Sequence, residues 1–205
     1  MTSTDSGKYL NLAVIVGSVR QGRFGPVVAR WFAGQAERYG RFTVDVIDLA
    51  DVPLPPVLPP VPPAFTPDLP RPAELAGLTR RLTAADAYVV VTPDYNRSFP
   101  ASLKAAVDWY YAEWQGKAVG FVGYSGASGG LLAIEQLKQV FGELNAHTVR
   151  DSVSFPRYFE LFDADGQLLE PERAEGDAKQ LLDQLEWWGS VLREARLARP
   201  LPATR

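Results

Sequence analysis

The chain of 205 residues contains no cysteine, which excludes disulfides, thiolate nucleophiles, cysteine zinc sites and iron–sulfur ligation supplied by this chain. It contains a single histidine, His147. A three-histidine metal centre is therefore impossible and a two-histidine one would need another subunit, so no metal site is expected. Any redox chemistry must come from a bound cofactor. Blocks of one charge sign are missing as well: Lys, Arg, Asp and Glu are scattered, and the formal net charge is -3. No nucleic acid or anionic membrane surface is expected as a partner. Long apolar runs are also lacking, since the amino-terminal one spans about six residues, too short for a secretion signal or a membrane span. A cytoplasmic protein with a small soluble partner is expected.

What the chain has is a repeating order of strand and helix. Leu12–Val16 is a nearly continuous apolar run, as a parallel strand covered on both faces requires, and Gly17 ends it. Val28, Trp31, Phe32 and Ala36 then recur at helical spacing behind Pro26, a residue suited to a first helical turn. Thr43–Ile47, Tyr88–Thr92, Ala118–Tyr124 and His147–Val153 read as further strands, and Leu75–Ala85, Pro100–Tyr111, Gly129–Phe141 and Arg173–Arg196 as further helices. Prolines crowd the segment Asp51–Pro72. Proline lacks the N–H a central strand needs and breaks helices, so a long, stiff loop with polyproline II character is expected there, serving as a spacer, a wall of a cleft or a subunit contact. Asp163-Ala164-Asp165-Gly166 signals a turn. The length suits one domain, expected over residues 1–199, with a disordered tail at 200–205.

Three of these units place a polar or glycine-rich loop between strand and helix. In an open α/β sheet such loops line the crevice beyond the carboxyl ends of the strands, where ligands bind. The first, Gly17-Ser18-Val19-Arg20-Gln21-Gly22-Arg23-Phe24-Gly25, offers a hydroxyl, two cations and a helix amino terminus, a combination suited to a phosphate monoester. It matches neither the dinucleotide nor the nucleoside triphosphate fingerprint. The second, Pro93-Asp94-Tyr95-Asn96-Arg97-Ser98, can bind the edge of a heteroaromatic ring and cover part of its face, with Ser98 a better helix cap than Phe99. The third, Tyr124-Ser125-Gly126-Ala127-Ser128-Gly129-Gly130, has no bulky side chain after Tyr124, so its backbone can approach a flat ligand.

The run GSVR followed by glycine and small residues, then PDYNRSFPASLKAAVDW, then SGASGG, in this order over Leu12–Phe141, closely resembles the NADPH-dependent FMN reductase family. The resemblance implies a flavodoxin-like fold: a doubly wound, five-stranded parallel α/β sheet in the order 2-1-3-4-5, with helices on both faces. It implies FMN as cofactor, NADPH or NADH as electron donor, and a flavin, quinone or similar small molecule as acceptor, served in turn by one pocket in a ping-pong cycle. Ser18, Arg20, Arg23, Phe24 and Gly25 would hold the FMN phosphate and ribityl chain. Pro93, Asp94, Tyr95, Asn96 and Arg97 would line the isoalloxazine, and Ser125, Gly126, Ala127 and Gly129 would close its other edge. Many relatives have Ser where this chain has Arg23, Asn where it has Gly25 and Glu where it has Asp94, so Arg23 would replace a hydroxyl with charge. Because the flavin does the chemistry, no side chain is assigned a catalytic role. Arg97 is a candidate contact for the 2'-phosphate of NADPH. Lys104, Asp108, Trp109 and His147 read as structural. Adjacent Trp187 and Trp188 cannot both face one core at helical spacing, which points to a homodimer or homotetramer. The alternative reading is a flavodoxin-type electron carrier that binds FMN without oxidising NADPH; such carriers are usually strongly acidic.

Overall fold

The computed structural model of the chain describes residues 9–66, 70–199 and 201. Strand β1 (Leu10–Val16) lies between β2 (Phe42–Asp48) and β3 (Ala87–Pro93), and β4 (Ala118–Ser125) and β5 (His147–Pro156) extend the sheet beyond β3. All pairings are parallel and the order is β2-β1-β3-β4-β5, as the family resemblance implied. Parallel neighbours need crossovers, and these are α1 (Gly25–Tyr39), α2 (Ala76–Ala84), α3 (Ala101–Asp108) and α4 (Leu131–Glu143); α5 (Glu172–Ala198) follows β5.

The near-continuous apolar strands are buried on both faces. Leu12, Val14, Val89, Val91 and Val122 point toward α1 and α5, where they meet Val28, Phe32, Leu181 and Leu185. Ala13, Ile15, Val90, Val119 and Phe121 point the other way, against Leu78 and Leu82 of α2, Leu103 of α3 and Leu137 and Phe141 of α4. Each fully buried branched or aromatic side chain removes enough apolar surface from water to contribute about 1.5–3 kcal/mol. The register, with Val16 opposite Val91 and Pro93 opposite Tyr124, brings the carboxyl ends of β1, β3 and β4 side by side.

Several boundaries differ from the sequence reading for physical reasons. Helix α4 starts at Leu131 rather than Gly129 because Gly129 and Gly130 both adopt positive φ, at 65° and 87°. Helix α3 stops at Asp108 rather than Tyr111, and the following turns insert Tyr110 and Trp114 into the core while Tyr88 Oη donates to the Glu113 carbonyl at 2.7 Å. Ser98 does not cap α3; Pro100 occupies that position, and the Ser98 hydroxyl donates to Gln136 instead. Strand β5 runs on to Pro156.

Among the described residues 52–66 and 70–72 of the proline-rich segment, the backbone is irregular apart from a short helical turn at Pro63–Phe65. It is fastened at both ends to the stretch after α3: Trp109 Nε1 donates to the Pro55 carbonyl, and Arg71 pairs with Glu113 at 2.9 Å. The expected turn at Asp163 forms, its carboxylate accepting from the Asp165 and Gln167 N–H groups. Of the tail expected at 200–205, only Leu201 is described, and the remainder of that expectation lies outside the described residues. No helix among the described residues is long and apolar enough to cross a membrane.

Candidate functional site

The loop after β1 begins under a steric constraint. A Cβ on Gly17 would sit 3.2 Å from the Val91 carbonyl oxygen and from Leu103, a tight contact that glycine avoids where β1 passes close to β3 before the chain turns. Ser18 is buried and its hydroxyl lies 2.6 Å from that of Tyr95. Beyond it Arg20, Gln21 and Gly22 are exposed, and Gly22 takes φ 65°. Among the described residues, the N–H groups of Gln21, Gly22 and Phe24 take no partner, while the Arg23 N–H donates to Arg20 O. Free N–H groups in the loop that leads into α1, with the exposed Arg20 side chain on the same cavity, could form an anion cradle. Arg23 does not add a free charge to it. Its guanidinium is paired with Asp48 at the end of β2, and its Nε is buried without a partner.

The loop after β3 makes a tight reversal in which Tyr95 and Ser98 exchange two backbone hydrogen bonds, at 2.7 and 3.0 Å. Asn96 and Arg97 between them both have positive φ, 52° and 69°, the signature of a type I' turn. Such a turn presents both residues at an exposed tip. Gln136 of α4 holds the tip from the side, donating to Arg97 O at 2.6 Å and accepting from Ser98 Oγ at 2.7 Å.

Asp94 works across loops. Its Oδ1 accepts from the Ala133 N–H at 2.8 Å, capping α4, whose own N-cap residue Gly130 has no side chain to do so; its Oδ2 accepts from Ser128 Oγ. Ser128 in turn lies 3.1 Å from Ser125 Oγ. Ser18–Tyr95 and Asp94–Ser128 thus stitch the three loops into one rim.

A cavity of about 330 Å³ opens inside this rim. Of the residues expected at the site, Arg20, Arg23, Phe24, Pro93, Asp94, Tyr95, Ser125 and Gly126 line it. The other six stand around it. Ser18 lies beneath the loop and positions Tyr95; Gly25 packs under Tyr124, whose hydroxyl would lie 2.9 Å from a Cβ there. Asn96 and Arg97 occupy the exposed tip, Ala127 is exposed, and Gly129 packs against Ser154 and Pro156.

Gln21, Gly22, Tyr124 and Tyr158 complete the lining. Tyr158 comes from the segment after β5, which folds back over the amino end of α1: its ring lies 4.7 Å from Phe24 and 5.4 Å from Tyr124. Burial above all pushes the Tyr124 hydroxyl well above the usual tyrosine range, so it remains a neutral hydrogen-bonding group. A larger groove of about 500 Å³ between α1 and β2 is lined mainly by apolar side chains. The polar groups converge on the smaller one.

FMN fits what is present. The phosphate calls for the free N–H groups and Arg20, and the flat ring calls for aromatic side chains together with small residues that let it approach, here Tyr95, Tyr124, Tyr158, Ser125 and Gly126, all in the cavity lining. No group of three or more His, Asp or Glu side chains that could hold a metal occurs among the described residues.

Comparison with known proteins points the same way. An NAD(P)H-dependent FMN reductase of Schizosaccharomyces pombe is 38% identical over 133 residues, which are 65% of this chain and 66% of that protein. A 2-hydroxy-1,4-benzoquinone reductase of Burkholderia sp is 28% identical over 195 residues, 92% of this chain and 99% of the relative. Among solved structures, the FerB flavoenzyme NAD(P)H:(acceptor) oxidoreductase of Paracoccus denitrificans superposes with a TM-score of 0.69 at 26% identity, over 89% of this chain and 98% of that one. The model describing NADPH-dependent FMN reductases matches residues 10–160, and with the fold and rim described above it establishes that the chain belongs to the NADPH-dependent FMN reductase family.

Proposed function

We propose that the cavity holds FMN and that the protein is an NAD(P)H-dependent FMN and quinone oxidoreductase. FMN, when bound, supplies the redox chemistry, taking hydride from NAD(P)H and passing electrons to a flavin, quinone or similar small acceptor. The chain's own residues bind and orient. The observation that carries this reading is the convergence, in one cavity, of the unpartnered N–H groups of Gln21, Gly22 and Phe24 with the tyrosine wall of Tyr95, Tyr124 and Tyr158.

In this reading Arg20 and the loop N–H groups anchor the phosphate. Ser18 fixes Tyr95 against the ring, while Asp94, by capping α4, keeps Ser125 and Gly126 opposite. Arg97 would meet the 2'-phosphate of NADPH, a role its exposure at the tip of the turn supports. The relatives named as FMN and quinone reductases support the acceptor class. Since one cavity must serve donor and acceptor, they enter in turn. Initial rates with NADPH and 1,4-benzoquinone, plotted as double reciprocals, should give parallel lines; intersecting lines would refute the shared pocket.

We further assign the protein to the cytoplasm, where its pyridine nucleotide is found, and to a homo-oligomer. Trp188 is partly buried against His147 with ring centres 3.8 Å apart, whereas Trp187 is 59% exposed, which supports a subunit contact on α5. Light scattering that gave the mass of one chain would contradict it.

A further inference from the structure

The Arg23–Asp48 pair stands between the anion cradle and the edge of the sheet. Arg23 lines the cavity, and its Nη2 donates to Asp48 Oδ2. Asp48 uses its other oxygen, Oδ1, to accept from the Ala50 N–H at 3.0 Å, where it caps the short turn Leu49–Asp51. Both side chains are largely buried, at 21% and 19% exposure. A carboxylate so placed does more than anchor an arginine. It cancels the one cation, apart from Arg20, that the loop after β1 brings to the cavity.

The pairing is also incomplete. Arg23 Nε is buried and has no acceptor, which carries a desolvation cost of about 1–3 kcal/mol. The guanidinium presents its donors as a fork suited to two acceptor oxygens, and Asp48 engages it with one. A phosphate is the stronger acceptor on two counts, since it carries close to two negative charges and offers three oxygens. The geometry is that of a cation held by a weaker partner beside the place where a stronger one would bind.

We propose that Asp48 and the 5'-phosphate of the flavin compete for the Arg23 guanidinium, so that this ion pair sets how tightly the protein retains its flavin. The proposal rests on the FMN reading above and adds its regulation. With Asp48 engaged, the phosphate is held by the loop N–H groups and Arg20 alone, and FMN exchanges readily. With the competing charge removed, Arg23 turns to the phosphate and FMN is retained. Riboflavin, which has the ring and ribityl chain but no phosphate, is indifferent to the pair.

The test is to measure dissociation constants of FMN and riboflavin by flavin fluorescence quenching for the wild type, Asp48→Asn, Arg23→Gln and the double variant. Asn keeps a side-chain oxygen for the Ala50 N–H, so the turn is preserved; Asp48→Ser, which can cap in the same way, is measured beside it as a second variant. Asp48→Asn should tighten FMN about tenfold, equivalent to about 1.4 kcal/mol, and leave riboflavin unchanged. In the Arg23→Gln background the same substitution should change FMN affinity by no more than about twofold, because the gain acts through Arg23. If FMN and riboflavin respond alike, or if the gain persists without Arg23, the competition is refuted. If the folded wild type binds neither flavin, the FMN reading falls and the competition falls with it. Wild-type binding of both flavins with no shift in their ratio overturns the competition alone.

Discussion

The hydroxyl oxygens of Ser18 and Tyr95 lie 2.6 Å apart although 77 positions separate the residues in the chain. Ser18 is buried just beyond β1 and Tyr95 stands on the turn after β3, so this contact fixes the distance between the loop after β1 and an aromatic side chain of the cavity lining. Asp94 does the same between the second loop and the third. These contacts all lie within the chain and tie the three loops to one another, and a rim held in this way lowers the ordering cost of binding.

Tyr95→Phe removes one partner of the first contact and leaves the Ser18 hydroxyl with a 3.5 Å approach from the Arg20 N–H and the neighbouring Tyr124 hydroxyl. A hydrogen bond of this kind contributes about 1 kcal/mol, so FMN affinity should fall roughly three- to tenfold. A fluorescence titration checks this, and an unchanged dissociation constant would show that the contact does not organise the cavity.

Lys117 gives the fold an unusual pH dependence. Its ammonium is buried at the far end of the sheet from the cavity, donating to the Leu82 and Thr83 carbonyls at the end of α2 and to Tyr88 Oη. Burial, the largest cause, lowers its pKa from 10.5 to about 8. Between these values the unfolded chain binds a proton that the folded chain has released, so stability rises with pH across this window. At about 1.4 kcal/mol per unit, the gain is on the order of 2–3 kcal/mol. Tyr88, whose pKa burial raises, opposes the trend only once unfolded tyrosines ionise near pH 10. Urea unfolding at pH 7.5 and pH 9.5 should show the increase, and Lys117→Met should abolish it. A wild-type stability that is flat or falls over this range would mean that the three hydrogen bonds outweigh the burial.

Arg97 sits at the tip of a type I' turn with φ 69°, a conformation that non-glycine residues adopt at a cost. Its exposed guanidinium is the group proposed to meet the 2'-phosphate of NADPH. Arg97→Ala should lower kcat/KM for NADPH about tenfold, as expected for loss of one charge-assisted hydrogen bond, while leaving NADH within about twofold. Equal losses with both donors would remove Arg97 from cofactor discrimination.

Much of this architecture was legible in the sequence because apolar runs and helical spacing report burial directly. The three loops follow from strand, loop and helix order, whereas the eight lining residues singled out within them rest on the family resemblance. The strand order came from the family resemblance, since periodicity does not say which strands are neighbours. Other features depend on contacts distant in sequence. Tyr158 reaches the cavity only because the chain folds back after β5, and Asp48 meets Arg23 from a different strand. The charge of Arg23 suggested a phosphate ligand, but its carboxylate partner was not visible until the sheet was assembled. The sequence pattern puts Gly129 and Gly130 both in the third loop and at the start of a helix, and the structure resolves this for the loop, because their positive φ values bring it against Gly123 of β4.

The central claim, that this cavity binds FMN and passes it electrons from NAD(P)H, is tested most directly by mixing the FMN-reconstituted protein with NADPH without oxygen and following the visible absorbance of the oxidised flavin. The account predicts bleaching much faster than that of free FMN under the same conditions. FMN that binds yet stays oxidised, or that does not bind at all, would contradict it.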